Sequence, residues 1–339
     1  MASISKTGFV RRLGLHLFNS NGMVNILRDN PTIAVLGAGA VGCYFGGMLA
    51  RAGNAVTLIA RANHVAAINK NGLYLDCLSF KEHVRLTATT DVSDISNADL
   101  ILCCVKSSDT EDAIRLIAPH IKKDAVILSL QNGVDNYERI RATIANPTFP
   151  AVVYVATRMA GDGHVEHVGR GELAIGAADA PGDWADTLGS IAALFSQSAV
   201  PCAVSQDVKR DLWGKFLVNC AYNGISAIGA IDYGQMVESE EIKTLIDTLT
   251  AEFLLVAKSE GVHISAVDAE KVIGQIPHTM PRQKSSTAQD LMRGKQSEID
   301  YLNGLIVRRG IKYNIPTPAN QAILALVKML ERKTLTPMP

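Results

Sequence analysis

The chain is short of aromatic residues, of net charge and of long apolar runs. Phe, Trp and Tyr make up only 5% of its 339 residues, and 33 basic residues balance 33 acidic ones. This balance gives no electrostatic basis for binding nucleic acid or an anionic membrane surface, and no apolar run is long enough to cross a bilayer. We therefore expect neither partner. The small aliphatic residues and glycine that dominate are typical of an α/β core.

Cysteine is present, but in no metal-binding pattern. The six cysteines include no Cys-x-x-Cys pair, and none of the eight histidines has the spacing of a zinc motif. We expect no metal site. Cys103 and Cys104 lie in an apolar strand-like run and Cys220 lies on an apolar helix face, which predicts buried free thiols. Free thiols indicate a reducing compartment, so a cytoplasmic location is expected.

The first residues stand apart from the rest of the chain. The stretch from Met1 to Met23 contains Lys6, Arg11 and Arg12 and no acidic residue. This composition resembles an amphipathic transit segment, which would make the location organellar. A disordered tail, or a start of translation at Met23, explains it equally well. We therefore treat residues 1–30 as an N-terminal extension outside the fold.

The remaining sequence changes its pattern once. Strand and helix signals alternate to about residue 206, and only long helical periods follow, among them 208–223 and 298–313. The pattern predicts an α/β Rossmann-like domain over 31–206 and an all-α domain over 207–333. Residues 165–168 and 172–175 are expected to form an antiparallel extension of the sheet. A cleft between the domains would be lined by the carboxyl ends of the strands.

A glycine fingerprint opens the α/β region. An apolar run enters a Gly-x-Gly-x-x-Gly turn at Gly37, Gly39 and Gly42, and a second apolar run covers 55–59. In this context Gly37 permits a tight turn, Gly39 lets backbone N–H groups approach a pyrophosphate, and Gly42 lets the helix pack on the strand. The alternative is a glycine turn that binds no ligand. We expect a dinucleotide site at the helix N-terminus.

The residue after the second strand indicates which dinucleotide binds. NAD sites usually carry Asp or Glu there, whereas an Arg accommodates a 2′-phosphate. This place is filled by Arg61, and the next acidic residue is Asp76. The sequence therefore predicts NADPH/NADP⁺ as cofactor.

One helix carries the best candidate for chemistry. Trp213, Phe216, Leu217 and Cys220 recur with helical spacing as an apolar stripe. A polar stripe beside it comprises Lys215, Asn219 and Asn223. A lysine flanking a buried face could donate a proton to a carbonyl oxygen, and the amides could bind the polar groups of a substrate. The alternative is an ordinary solvent-exposed helix face, which the spacing leaves open.

Four further residues are candidates with structural alternatives. Ser286 has capping-box spacing with a later Gln, and a cap at Ser297 would place Glu298 in a first helical turn. If they line the cleft instead, they would bind a carboxylate and a hydroxyl. Lys106 and Asn132 each follow a predicted strand, where ligands bind in α/β folds. Their alternatives are a solvated loop end and a turn dipeptide.

Taken together, these motifs resemble the ketopantoate reductase (2-dehydropantoate 2-reductase) family over about residues 31–332. The resemblance depends on the joint order of several motifs: Gly37-Ala-Gly-Ala-Val-Gly42, Arg61, Val105-Lys106, Gln131-Asn-Gly133, Leu212-Trp-Gly-Lys-Phe-Leu-Val-Asn219 with Asn223, and Ser297-Glu-Ile-Asp-Tyr-Leu-Asn-Gly304. It implies NADPH-dependent reduction of the ketone of ketopantoate to pantoate, a step toward pantothenate.

The resemblance also implies roles for individual residues. Lys215 and Glu298 correspond to catalytic residues, with Lys215 the proton donor. The residues implied in substrate binding are Asn132, Asn219, Asn223 and Ser286. The residues implied in cofactor binding are Gly37, Ala38, Gly39, Ala40, Val41, Gly42, Arg61, Lys106, Asn132 and Glu298.

One departure bears on the substrate. A further substrate-contacting asparagine of some members falls near Tyr233 in this chain. A reductase of another branched 2-oxo acid is therefore an alternative, and a non-catalytic NADPH-binding sensor is another. In each enzymatic case the partner is a small 2-oxo acid, and a homodimer remains open.

Overall fold

The computed structural model describes residues 30–335, with side chains to residue 333. The N-terminal extension expected over residues 1–30 lies outside this part of the chain, except for Asn30. The described strands all fall before residue 205: β1 (Ile33–Leu36), β2 (Val56–Ile59), β3 (Leu73–Cys77), β4 (Lys81–Val84), β5 (Thr87–Thr89), β6 (Leu100–Cys103), β7 (Val126–Ser129), β8 (Thr148–Gly161), β9 (His164–Ile175) and β10 (Cys202–Val204).

Within residues 30–335, five α-helices lie between or beside these strands, and eight follow them. The helices are α1 (Ala40–Arg51), α2 (Ala62–Asn71), α3 (Thr110–Ile117), α4 (Asn136–Thr143), α5 (Ala185–Gln197), α6 (Val208–Val218), α7 (Gly224–Gly229), α8 (Tyr233–Met236), α9 (Glu240–Ser259), α10 (Ala266–Thr279), α11 (Ser286–Met292), α12 (Asn303–Tyr313) and α13 (Pro318–Leu335). None of the helices in residues 30–335 is both long and apolar enough to cross a membrane.

The sheet has a parallel half and a mixed half. Its parallel strands run in the order β5-β2-β1-β6-β7-β8, so the chain reverses direction across the sheet next to β1. Beyond β8 lie antiparallel β9, then β3, and then β4, which is antiparallel to β3. The predicted antiparallel extension is confirmed, although 165–168 and 172–175 belong to the single strand β9.

Both faces of the parallel strands are covered, which explains their unbroken apolar runs. Ile33 and Val35 of β1 pack with α1 in one cluster, whereas Ala34 and Leu36 pack with α3 and α4 in another. The helices after β10 enclose a separate core that includes Trp213 and the other apolar residues of its predicted stripe. The predicted combination of a Rossmann-like sheet and an all-α region is confirmed.

Two long helical predictions are interrupted in the structure. The helix expected over 208–223 is regular only to Val218, and Asn219–Asn223 form a π-helical segment that continues into α7. The helix expected over 298–313 breaks at Leu302, whose φ and ψ are both −106°. The residues before the break, Ile299–Tyr301, form a short 3₁₀ turn.

Candidate active site

The glycine turn has the geometry that its sequence predicts. Gly37 has a φ of +100°, and a Cβ there would lie 2.8 Å from the backbone nitrogen of Val105. A Cβ on Gly42 would overlap the carbonyl oxygen of Gly37 and lie 2.9 Å from Val35. These two glycines are therefore required by packing within the protein itself.

Gly39 differs from its two neighbours in the motif. It is exposed, it is the N-cap of α1, and a Cβ on it would meet nothing within 4 Å. No side chain caps α1, and its first turn carries no acidic residue. The open space and the N–H groups of this helix end fit a pyrophosphate, which the dipole would also stabilise.

Arg61 lies beside this turn at the end of the neighbouring strand. It follows β2, forms the N-cap of α2 and is exposed to solvent. Within residues 30–333, no carboxylate forms an ion pair with its guanidinium. The side chain is thus available to a phosphate group near the adenosine end of a bound dinucleotide.

Lys215 extends from α6 to the carboxyl edge of the sheet. Its Nζ donates a hydrogen bond to Asn132 Oδ1 at 3.0 Å and to the carbonyl oxygen of Val153 at 2.6 Å. Asn132 follows β7, and Val153 lies on β8 just past the residues that pair with β7. The predicted polar stripe therefore faces the sheet, and the alternative of a solvent-exposed lysine is wrong.

The surroundings of Lys215 adjust its acidity. Burial disfavours the ammonium form and is the largest cause that lowers the lysine pKa, to about 8. The carboxylate of Glu298 opposes this effect, and the positive charge of Arg170 adds to it. A lysine with this pKa can give up or regain a proton near neutral pH.

A small pocket surrounds the Lys215 side chain. Sheet residues form one wall, and α6 with the start of the π-helical segment forms the other. Its lining residues are Gln131, Asn132, Gly133, Ala151, Val152, Val153, Leu212, Lys215, Phe216 and Asn219. Three predicted site residues, Lys215, Asn132 and Asn219, thus meet at one place.

Asn223 lies deeper than the other two members of its stripe. It is buried, and its Oδ1 accepts a hydrogen bond of 3.2 Å from the Tyr233 hydroxyl. Its carbonyl oxygen accepts another, of 3.0 Å, from Ser285. Tyr233 is itself buried, and burial raises the pKa of its hydroxyl, which therefore acts as a neutral donor. Tyr233 thus fixes the orientation of the Asn223 amide.

The predicted caps differ from those observed. Ser285, not Ser286, caps α11, because its Oγ accepts from the N–H of Ala288 while donating to Asn223. Ser286 is exposed at the first position of α11. Local spacing could not separate two adjacent serines, since only tertiary packing directs one of them inward.

Glu298 also departs from its predicted setting. Ser297 donates to Glu331 at 2.6 Å rather than capping a long helix, and Glu298 precedes the 3₁₀ turn instead of lying in a first helical turn. Its Oε1 accepts hydrogen bonds from the N–H and the hydroxyl of Ser107, at 2.9 and 2.8 Å. The glutamate therefore reaches the sheet region directly.

Lys106 makes a second link between the two regions. Its Nζ lies 3.0 Å from Asp290 Oδ2 and 2.5 Å from the carbonyl oxygen of Gln296. The alternative of a freely solvated loop end is therefore wrong. Ser107 and Asp290 were not found from the sequence, since neither belongs to a local pattern.

A cluster of possible metal ligands lies in the mixed half of the sheet, away from Lys215. Asp76, His164 and Glu166 lie on the neighbouring strands β3 and β9, with ligand atoms within 4.8 Å of one another. Each carboxylate is already ion-paired, Asp76 with Lys81 and Glu166 with Arg158.

The cysteines are free thiols, as predicted, with four of the six buried.

Comparisons with known proteins agree with this arrangement. The family model described as ketopantoate reductase PanE/ApbA matches residues 33–180, and its C-terminal counterpart matches residues 207–331. A curated 2-dehydropantoate 2-reductase of Pyrococcus horikoshii is 32% identical over 299 residues, which cover 88% of this chain and 97% of that protein.

Solved structures extend the likeness. A PanE/ApbA family ketopantoate reductase from Ralstonia eutropha JMP134 is 49% identical, with a TM-score of 0.84 over 90% of this chain and 100% of that one. A D-mandelate dehydrogenase solved with NADH and anilino(oxo)acetate is 28% identical, with a TM-score of 0.82 over 89% and 99%. The two matched models together span most of the sequence, and the chain belongs to the ketopantoate reductase PanE/ApbA family.

Proposed function

We propose that this protein is an NADPH-dependent oxidoreductase that reduces 2-dehydropantoate to pantoate in the cytoplasm, as a step of pantothenate biosynthesis. The observation that carries the proposal is the placement of Lys215, held by Asn132 and Val153 at the carboxyl edge of the sheet. The curated relative and the 49% identical structure carry the same activity in their names.

The sheet region and the helical region have different roles in the proposed reaction. We assign cofactor binding to 31–206, on the open helix end at Gly39, and the catalytic groups to 207–333. When bound, the nicotinamide supplies the hydride that adds to the ketone carbon. The protein supplies the proton: the Lys215 ammonium donates to the ketone oxygen as negative charge develops on it, which gives the hydroxyl group.

The amides and Ser286 orient the substrate. Asn219 shares the pocket of Lys215, and Asn223 lies one turn further along the same chain segment. Ser286 is exposed at the N-terminal end of α11, where a substrate carboxylate would find its hydroxyl and the helix dipole. Asn132 would contact both the substrate and the cofactor. Its amide contacts Lys215, and its loop follows a strand that points toward the cofactor.

The choice of NADPH over NADH is supported by Arg61. Its exposed guanidinium at the end of β2 is suited to a 2′-phosphate, and an acidic residue suited to a 2′-hydroxyl is absent from that position. Arg61→Ala should raise KM for NADPH by about tenfold to a hundredfold and leave KM for NADH nearly unchanged. Arg115→Ala, at an exposed arginine of α3, is the matched control. An equal loss for both cofactors would contradict the phosphate role.

A second candidate is a reductase of another bulky 2-oxo acid. Two observations favour it. A further asparagine of some family members falls near Tyr233, which contacts Asn223, and the D-mandelate dehydrogenase with an aromatic oxo acid bound shares this fold at 28% identity. An aromatic side chain at this place could favour a branched or phenyl-bearing substrate over 2-dehydropantoate.

Steady-state kinetics with a substrate panel test the proposal. The panel comprises 2-dehydropantoate, 2-oxoisovalerate and benzoylformate, each with NADPH and with NADH. We expect kcat/KM for 2-dehydropantoate with NADPH to exceed the others by about a hundredfold or more. A preference for benzoylformate would replace the first candidate by the second. Tight NADPH binding without turnover of any 2-oxo acid would indicate a sensor instead.

A further inference from the structure

The Glu298 carboxylate is held by a residue of the sheet region that no motif singled out. Ser107 is fully buried, and both its N–H and its hydroxyl donate to Glu298 Oε1. We propose that Ser107 is a positioning residue for the reaction, which fixes the Glu298 carboxylate at a constant place relative to the Lys215 ammonium. The inference rests on the proposed function and concerns the same site.

The Ser107 proton is committed to Glu298. Its Oγ lies 2.8 Å from Glu298 Oε1 and 3.3 Å from the carbonyl oxygen of Asn132. A hydroxyl has one proton, and an ionised acceptor at the shorter distance is the stronger partner. Because Oε1 receives both donors of Ser107, and no described residue donates to Oε2, the second oxygen stays free for the substrate or for Lys215.

Ser107 is itself fixed from the other side. Its carbonyl oxygen accepts from Arg139 Nη2 at 2.8 Å and from Thr110 Oγ1 at 3.2 Å. Its hydroxyl oxygen accepts from Asn136 Nδ2 at 3.2 Å. The residue begins the 3₁₀ turn Ser107–Asp109 that leads into α3, so Glu298 also satisfies a backbone N–H at this turn's start.

The same network reaches Lys215. Asn136 Nδ2 donates to the carbonyl oxygen of Asn132 at 2.7 Å, and the amide of Asn132 accepts from Lys215. One continuous set of hydrogen bonds therefore runs from the carboxylate through Ser107, Asn136 and Asn132 to the ammonium. These hydrogen bonds attach the two charged groups of the site to the same loop ends, which keeps the distance between the two groups constant.

Weakening the hydrogen bonds that hold Glu298 would change the pKa of Lys215. The negative charge of Glu298 raises the pKa of Lys215 against the effect of burial. If Glu298 moves away, the ammonium loses this support and its pKa falls further. A merely structural role of Ser107 would lower thermal stability without moving the titration of Lys215.

The test compares Ser107→Ala with Ser108→Ala. Ser108 is the exposed neighbour, whose hydroxyl donates only to Asp109. Lysines are reductively ¹³C-methylated, and the Lys215 resonance is assigned by its absence in Lys215→Ala and titrated by NMR. In Ser107→Ala we expect the Lys215 pKa to fall by about half a unit or more, in the direction set by Glu298→Gln and by less than in that variant.

Kinetics give a second readout. In Ser107→Ala, kcat is expected to fall about tenfold, and the decline of kcat at high pH is expected to begin at a lower pH. Ser107→Thr keeps the hydroxyl and should restore the pKa and most of kcat, whereas Ser108→Ala should match the unmodified sequence. Thermal melts identify any variant that does not fold.

The outcomes separate the two proposals. An unchanged Lys215 titration in folded Ser107→Ala would overturn the positioning role, whatever the substrate. If the unsubstituted protein reduces no 2-oxo acid, the proposed function fails, but the NMR titration still decides whether Ser107 controls Lys215 through Glu298. A shift in Ser107→Ala that Ser107→Thr reverses would support the proposal.

Discussion

The sheet region and the helical region hold their functional residues in different ways. In the sheet region Gly37, Gly39 and Gly42 act through the backbone of one turn, within a few residues of one another. In the helical region Lys215 acts through partners 83 and 62 residues away along the chain. In the proposed mechanism, the pyrophosphate would be bound locally by one βα unit, whereas proton donation would depend on the contact between the two regions.

The largest expected effect tests the helical side of this comparison. Lys215→Ala should lower kcat by about a thousandfold, because it removes the proposed proton donor. KM for NADPH should change little, since the glycine turn remains intact. Lys258→Ala, at an exposed lysine of α9, is the control. A kcat near that of the unsubstituted protein would remove Lys215 from the mechanism, and a lost affinity for NADPH would contradict the separation of the regions.

Two glycine substitutions test the sheet side. Gly39→Ala should weaken NADPH binding by about tenfold or more while changing the free energy of unfolding by less than about 1 kcal/mol, because its Cβ projects into open space. Gly42→Ala should lower the free energy of unfolding by about 1–3 kcal/mol, because its Cβ overlaps Gly37.

Urea titrations and fluorescence titrations with NADPH measure the two effects. The contrast between the variants is the prediction. Equal destabilisation by both would mean that Gly39 is also required for packing, and undiminished NADPH affinity in folded Gly39→Ala would place the pyrophosphate elsewhere.

The pH dependence tests whether burial tunes Lys215. The donor must be protonated for reduction, so kcat for reduction should fall about tenfold per pH unit above a pKa of about 8. Oxidation of the hydroxy acid needs the neutral amine, so its kcat should rise over the same range. Stopped-flow measurements of the hydride step in both directions give the pH at which each rate begins to change. If both changes occur near the ordinary pKa of a lysine, Lys215 is solvated rather than buried.

The smallest expected effect concerns the hydrogen bond that orients Asn223. Tyr233→Phe leaves the Asn223 oxygen without its donor, at a cost of about 1 kcal/mol, and should lower kcat/KM for the substrate about fivefold. Tyr222→Phe removes a hydroxyl that donates to the carbonyl of Ile273 in the same core, so it should cost stability and leave kcat/KM unchanged. If kcat/KM is the same in the two variants, Tyr233 does not contribute to substrate binding.

The sequence predicted best what local geometry decides. The roles of Gly37 and Gly42 follow from backbone clashes that any strand-turn-helix unit of this kind has, and the turn is as expected. The buried stripe around Phe216 followed from helical periodicity, whereas the same spacing left open whether Lys215 faces the sheet or the solvent. The alternation of strands and helices located the sheet, although the segments 165–168 and 172–175 belong to one strand, β9.

What the sequence did not predict depends on long-range partners. The choice between Ser285 and Ser286 is made by the carbonyl of Asn223, and the hydroxyl of Ser297 is taken by Glu331 of α13. Ser107 lies in a loop with no periodicity, and only the folded chain brings Glu298 to it. Spacing rules describe one helix or strand at a time and contain no information about contacts between residues that are distant in the sequence.

The π-helical segment Asn219–Asn223 sets the angular offset between Lys215 and Asn223. A wider turn accommodates more residues than an α-helical one, as after the insertion of a single residue. If regular α-helix took its place, the eight residue steps from Lys215 to Asn223 would turn the chain by about 800° and leave Asn223 about 80° away from the face that carries Lys215. The smaller rotation per residue in the π-helical turn brings Asn223 closer to that face, which would let the two side chains contact one ligand.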